Sequence, residues 1–148
     1  MKTKTFLLLC LLLGIGLTQL NAKKRNSGTT VTTQSGVWNG YEVPVYCNGN
    51  MIDDLTGTVN YLNFLFWKDG NWVREIHYMW GEVQSTKPPL FEAFKVIEID
   101  HCVASTGIDK FTVFLIGNKG SNYVGTFIYY FNTGQLELVK MICSKCDK

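Results

Sequence analysis

From Trp38 to Cys143, apolar and polar residues alternate with a period of two, and the three-to-four spacing of an amphipathic helix is almost absent. The alternation predicts strands over Tyr41 to Cys47, Thr56 to Trp67, Asn71 to Val83 and Phe91 to Ile99. It predicts three more over Lys110 to Gly117, Tyr123 to Phe131 and Gln135 to Cys143. Turn residues separate them: Asn48-Gly49-Asn50, Asp69-Gly70, Pro88-Pro89, Ser105-Thr106-Gly107, Asn118-Lys119-Gly120-Ser121 and Asn132-Thr133-Gly134. Pro44 cannot donate a ladder hydrogen bond, which marks the first of these strands as an edge or a strand start. Connections this short suit antiparallel neighbours. The expected fold class is therefore all-β: a single small antiparallel domain over 37–148, built as a meander β-barrel or a β-sandwich of about seven to eight strands.

The Asp69-Gly70 hairpin is the densest aromatic segment. A two-residue turn pairs Trp67 with Trp72, Leu65 with Arg74, Asn63 with Ile76, Tyr61 with Tyr78 and Val59 with Trp80. The opposite face then holds Phe66, Phe64 and Leu62 against Val73, Glu75 and His77. Both faces carry large apolar side chains, so one fills a core and the other needs a ligand, a covering segment or a partner. The ligand-binding residues expected from this reading are Trp67, Trp72, Arg74, Tyr78 and Phe64, with Trp80 and Tyr61 structural.

The N-terminus changes the picture. Lys2 and Lys4 precede the apolar run Phe6 to Leu17, and Thr18-Gln19-Leu20-Asn21 leads to Ala22, which is the order of a secretory signal peptide over 1–22. Residues 23–36 read as a polar, flexible tether, and the mature protein is expected to be secreted or periplasmic, with no transmembrane segment. The 14 basic residues less Lys2 and Lys4 equal the 12 acidic ones, so the mature chain is neutral and nucleic acid is not an expected partner. No Asn-x-Ser/Thr sequon occurs, as is compatible with a bacterial source. Of 5 cysteines, Cys10 leaves with the leader, and Cys47, Cys102, Cys143 and Cys146 form an even set suited to an oxidising compartment. Cys47 and Cys143 each end an apolar run and are paired on that ground, leaving Cys102 for Cys146. Cys143-Ser144-Lys145-Cys146 has no helix after it to lower a thiol pKa, and no second close cysteine pair completes a zinc site.

Catalytic signals are sparse. His77 and Glu75 share a strand face, but no nucleophile is placed beside them, and a solvent-side or interface histidine is the plainer reading. In Asp100-His101-Cys102, alternation puts His101 on the face opposite the other two, so the three do not form a triad. Asp53-Asp54 lacks the alternating ligands of a calcium loop. No catalytic residue, metal or cofactor is expected. Gly36-Val37-Trp38 resembles the entry motif of lipocalins and avidin-like barrels, where the Trp plugs the closed end. The resemblance implies a lipocalin-like up-and-down barrel with a ligand-sized mouth. The expected function is an exported binding protein for an apolar or aromatic ligand. The alternative is a module that contacts an extracellular protein or glycan.

Overall fold

The computed structural model describes residues 28–88 and 90–144. The expected leader 1–22, residues 23–27 and Cys146 lie outside the described residues. Seven strands follow in order: β1 (Thr29–Cys47), β2 (Asn50–Lys68), β3 (Asn71–Gln84), β4 (Ala93–Val103), β5 (Ile108–Gly117), β6 (Asn122–Tyr130) and β7 (Gln135–Cys143). They form one antiparallel sheet in the order β1 to β7, and the only helical element among the described residues is the 3₁₀ turn Ala104–Thr106. No described helix is long and apolar enough to cross a membrane.

The meander is as expected, but the barrel does not close. β1 and β7 exchange no ladder pairs; they meet where Tyr46 N donates to Met141 Sδ at 3.0 Å and where Cys47 lies beside Cys143. The tether is also corrected, because Thr29 to Gly36 forms the first half of β1 and pairs with Tyr61 to Lys68 of β2. Gly40 sits at positive φ inside the register shift between Asn39 and Tyr41, and the bulge lets this long edge strand bend. Beyond it, Tyr41, Val43 and Val45 turn onto the concave face of the sheet and are buried. Asn48-Gly49 and Asp69-Gly70 each hold both turn residues at positive φ, which matches the right-handed twist of the flanking strands.

The hydrophobic core occupies the half of the concave face nearest the β1–β2 turn. Val59, Val83, Phe94, Val96, Val113, Leu115 and Phe127 join the three β1 residues there. The β2 and β3 backbones come unusually close over this core. A Cβ on Gly81 would collide with the Thr58 carbonyl oxygen, and one on Gly57 with that of Glu82. A Gly81→Ala variant is expected to lose about 1–3 kcal/mol, as overpacked sites do. The urea midpoint checks this, and an unchanged midpoint would show that β2 and β3 can part freely.

Candidate functional site

The concave face changes character along its length. The registers define cross-sheet rows, and the row nearest the core reads Val59, Gly81, Val96, Leu115 and Tyr123. The next reads Tyr61, Met79, Glu98, Val113, Gly125 and Met141. The third reads Asn63, His77, Asp100, Phe111, Phe127 and Leu138, and the fourth Leu65, Glu75, Cys102, Asp109, Tyr129 and Leu136. Apolar rows thus give way to acidic ones on β3, β4 and β5 at one level. The outward residues beside them are apolar: Tyr78, Ile97 and Ile99. The pattern is inverted relative to the usual apolar-in, polar-out rule.

These rows surround a cavity of about 80 Å³, lined by Glu75, Glu98, Asp100 and Asp109 from β3 to β5 and by Glu42 from β1, with Asn63, His77 and Tyr41. Trp38, Phe111, Tyr129 and Leu136 supply apolar wall. At roughly 10–15 Å³ per water, the space suits a small ligand group or a few waters. Tyr41 crosses from β1 to donate its hydroxyl to Glu98 Oε2. Glu98 and Asp100 share a further hydrogen bond, and His77 Nδ1 lies 3.3 Å from Asp100 Oδ2.

Burial governs the charge here. It raises the Glu98 carboxyl well above the usual carboxylate range, with the neighbouring Asp100 adding to the effect. Burial likewise pushes Asp100 up to about 9, helped by Asp109 and Glu75. Glu75 and Asp109 are raised by the same loss of hydration, against the pull of His77, and burial lowers His77 against the pull of Glu75 and Asp109. Tyr41 is raised well above the ordinary phenol value by burial and then by Glu98. Burial thus disfavours the charged forms of Asp100 and His77 alike, so their 3.3 Å contact is not an ion pair near neutral pH.

Several polar atoms in the cavity wall are not satisfied by the fold. Asn63 Oδ1, His77 Nε2, Asp100 Oδ1 and Asp109 Oδ1 are buried without a hydrogen-bond partner. Asn63, His77 and Asp100 are only 4%, 8% and 5% exposed. Buried carboxylates elsewhere in the protein behave differently. Glu92 accepts from the backbone N–H groups of Lys119 and Ser121 and holds the β5–β6 turn, and Asp53 accepts from Ser85 Oγ. Four of the five such open atoms among the described residues thus belong to the cavity wall, the fifth being Trp72 Nε1 at the aromatic hairpin.

Comparison with protein-family models, with curated proteins and with solved structures found no match. The Gly36-Val37-Trp38 resemblance thus rests on those residues alone. Trp38 does not plug a closed barrel; it packs edge-on against Tyr41, with ring centroids 5.3 Å apart, and lines the cavity.

The five residues expected to bind a ligand are not brought together. A register shift at Phe66/Trp67 leaves Trp67 opposite Trp72 but sets Phe66 opposite Arg74, Leu65 opposite Glu75 and Asn63 opposite His77. The unbulged pairing is thereby corrected, because one extra residue on β3 turns every following side chain to the other face. Phe64, Arg74 and Tyr78 lie on the convex face, where Arg74 stacks 4.0 Å from the Phe66 ring and Phe64 meets Tyr78 edge-on. Register places Trp67 and Trp72 on the concave side at the hairpin tip, and Trp67 Nε1 donates to Thr32 Oγ1. None of the five lines the cavity. Trp80, expected to be structural, is 46% exposed on the convex face. The same shift carries Glu75 and His77 inward, so the solvent-side reading of His77 is corrected too.

Among the cysteines, Cys47 Sγ and Cys143 Sγ stand 3.6 Å apart, in contact and longer than the bonded distance of about 2.05 Å. Cys102 is buried between Glu75 and Asp109, with Sγ 3.8 Å from the Ile108 carbonyl oxygen. The pairing expected for it lies outside the described residues with Cys146.

The inversion on β4 was a readable signal. Phe94 and Val96 share alternation with Glu98 and Asp100, so the acids occupy core register while Ile97 and Ile99 do not. Which other acids join them depends on the register of three strands.

Proposed function

We propose that this chain is an exported binding protein that takes a small ligand into the concave cavity rather than onto the aromatic hairpin. One observation carries the reading: four buried polar atoms on three adjacent strands and β2 lack a partner around a single cavity. Leaving such groups unpaired costs about 1–3 kcal/mol each, a cost that a bound molecule offsets. The apolar walls suit a ligand that also has an apolar or aromatic part. Export rests on the leader-like N-terminus, and in an oxidising compartment Cys47 and Cys143 close the seam between β1 and β7.

Native mass spectrometry of the purified protein, recovered from its own extracellular or periplasmic fraction, is expected to show a small-molecule adduct that denaturation releases. A spectrum of bare protein alone, unchanged by added small-molecule extracts, would overturn the reading.

A second reading has its own observation. Tyr78, Trp80, Ile97, Ile99 and Ile116 leave a solvent-facing apolar strip on the convex face, large enough in character for a protein or glycan contact. Cavity and strip are on opposite faces, so variants in one leave the other intact.

A further inference from the structure

We infer that the cavity's ligand is an organic cation, a protonated amine with an apolar or aromatic body, and that it binds through Asn63, Asp100 and Asp109. The inference rests on the ligand-binding reading above and adds the ligand's charge.

The unsatisfied atoms select the chemistry. Asn63 Oδ1 accepts hydrogen bonds and cannot donate, and it is buried on the cavity wall with no partner. Asp100 Oδ1 and Asp109 Oδ1, on residues that line the same cavity, are likewise buried without a partner. An alkylammonium group brings three N–H donors and no acceptor, which matches three open oxygens. An anion would meet no full positive charge, since no Lys or Arg is among the described residues lining the cavity and burial lowers the pKa of His77. A metal ion fits poorly, because no three acidic, histidine or cysteine groups among the described residues converge as its ligands. The ring faces of Trp38, Phe111 and Tyr129 suit the remainder of an amine, and aromatic faces also attract cations.

Charge and proton inventory agree with this. Tyr41 and Glu42 face the cavity from β1, Glu75 and His77 from β3, and Glu98, Asp100 and Cys102 from β4. Asp109 faces it from β5 and Tyr129 from β6, while β2 contributes the neutral Asn63. Burial holds carboxyls of this set protonated when the cavity holds no cation. An arriving ammonium favours the carboxylate form, so the complex forms as the cation enters and one carboxyl proton leaves to solvent, with net charge conserved.

The test uses 2-phenylethylamine, 2-phenylethanol and phenylacetate with the purified protein, measured by titration calorimetry in two buffers of different ionisation enthalpy. The amine is expected to bind about tenfold or more tightly than the alcohol, and phenylacetate not at all. Its enthalpy should depend on the buffer in the sense of proton release, and its affinity should rise with pH by up to about tenfold per unit around neutrality. Asp109→Asn is expected to lose about tenfold or more in amine affinity while retaining the native melting transition. If that variant fails to fold, Asn63→Ser serves in its place, with the same loss expected. Equal or tighter binding of the alcohol overturns the cation inference and leaves the ligand-binding reading standing. Absence of binding by all three overturns the cation inference, and the adduct seen or not seen in native mass spectrometry then decides the broader reading.

Discussion

The protein is expected to lose stability as the pH rises from about 7 to about 9, by about 1.4 kcal/mol per pH unit for each carboxyl that is protonated only when folded. Asp100 is the best-defined of these. Its carboxyl ionises near 3.8 in an unfolded chain and is pushed up to about 9 by burial, then by Asp109 and Glu75. A raised carboxyl contributes its full stability below the unfolded value and loses it as the pH climbs through the folded one. The unfolded chain has released that proton by neutrality while the native chain still holds it, so raising the pH favours unfolding. His77 acts in the opposite sense, because its folded value is lowered: it costs stability only as the pH falls below its ordinary value of 6.5. Above that value the carboxyls act without it. Over two pH units the sum is about 3 kcal/mol, or a melting temperature lower by about 10 °C for a domain of this size. Asp100→Asn keeps the shape, removes the charge and should flatten the slope. Thermal melts across this window check both statements. A melting temperature that rises toward alkaline pH would mean that these carboxyls are ionised in the folded protein.

The second large effect concerns the open seam. Joining Cys47 to Cys143 closes a loop of nearly the whole domain, and cross-links over loops of this length contribute about 2–5 kcal/mol. The oxidised protein should therefore melt well above the reduced one, and Cys47→Ala should remove most of that difference. Non-reducing peptide mapping should recover the Cys47 and Cys143 peptides linked. Two free thiols at these positions in protein recovered from an oxidising compartment would show that the seam is held by packing alone. The geometry supports the link, because the sulfurs already touch at 3.6 Å and Tyr46 reaches Met141 beside them. Since β1 and β7 share no ladder pairs, the link would stand in for the hydrogen bonds that close a barrel.

Much of this architecture is determined by the sequence alone. Period-two alternation and paired turn residues are local properties, each read within a few positions, and they specify seven strands in meander order. The Asp69-Gly70 and Asn48-Gly49 turns follow from residues that tolerate positive φ, and the contact of Cys47 with Cys143 was legible because each ends an apolar run. The site was not legible in the same way. Asn63, His77, Asp100 and Asp109 come from four strands, and only the register aligns them across the sheet. One bulge at Phe66/Trp67 decides which face Glu75 and His77 occupy, and a bulge has no strong local signature. Because side chains alternate at every residue, that single insertion exchanges the aromatic face for the acidic one. Closure is also a tertiary property, since it depends on how far the sheet coils over its core rather than on any single strand. The sequence by itself thus determined strands, turns and order, whereas the tertiary structure alone decided the open seam and the acidic cavity, because both arise from register and coiling between distant segments.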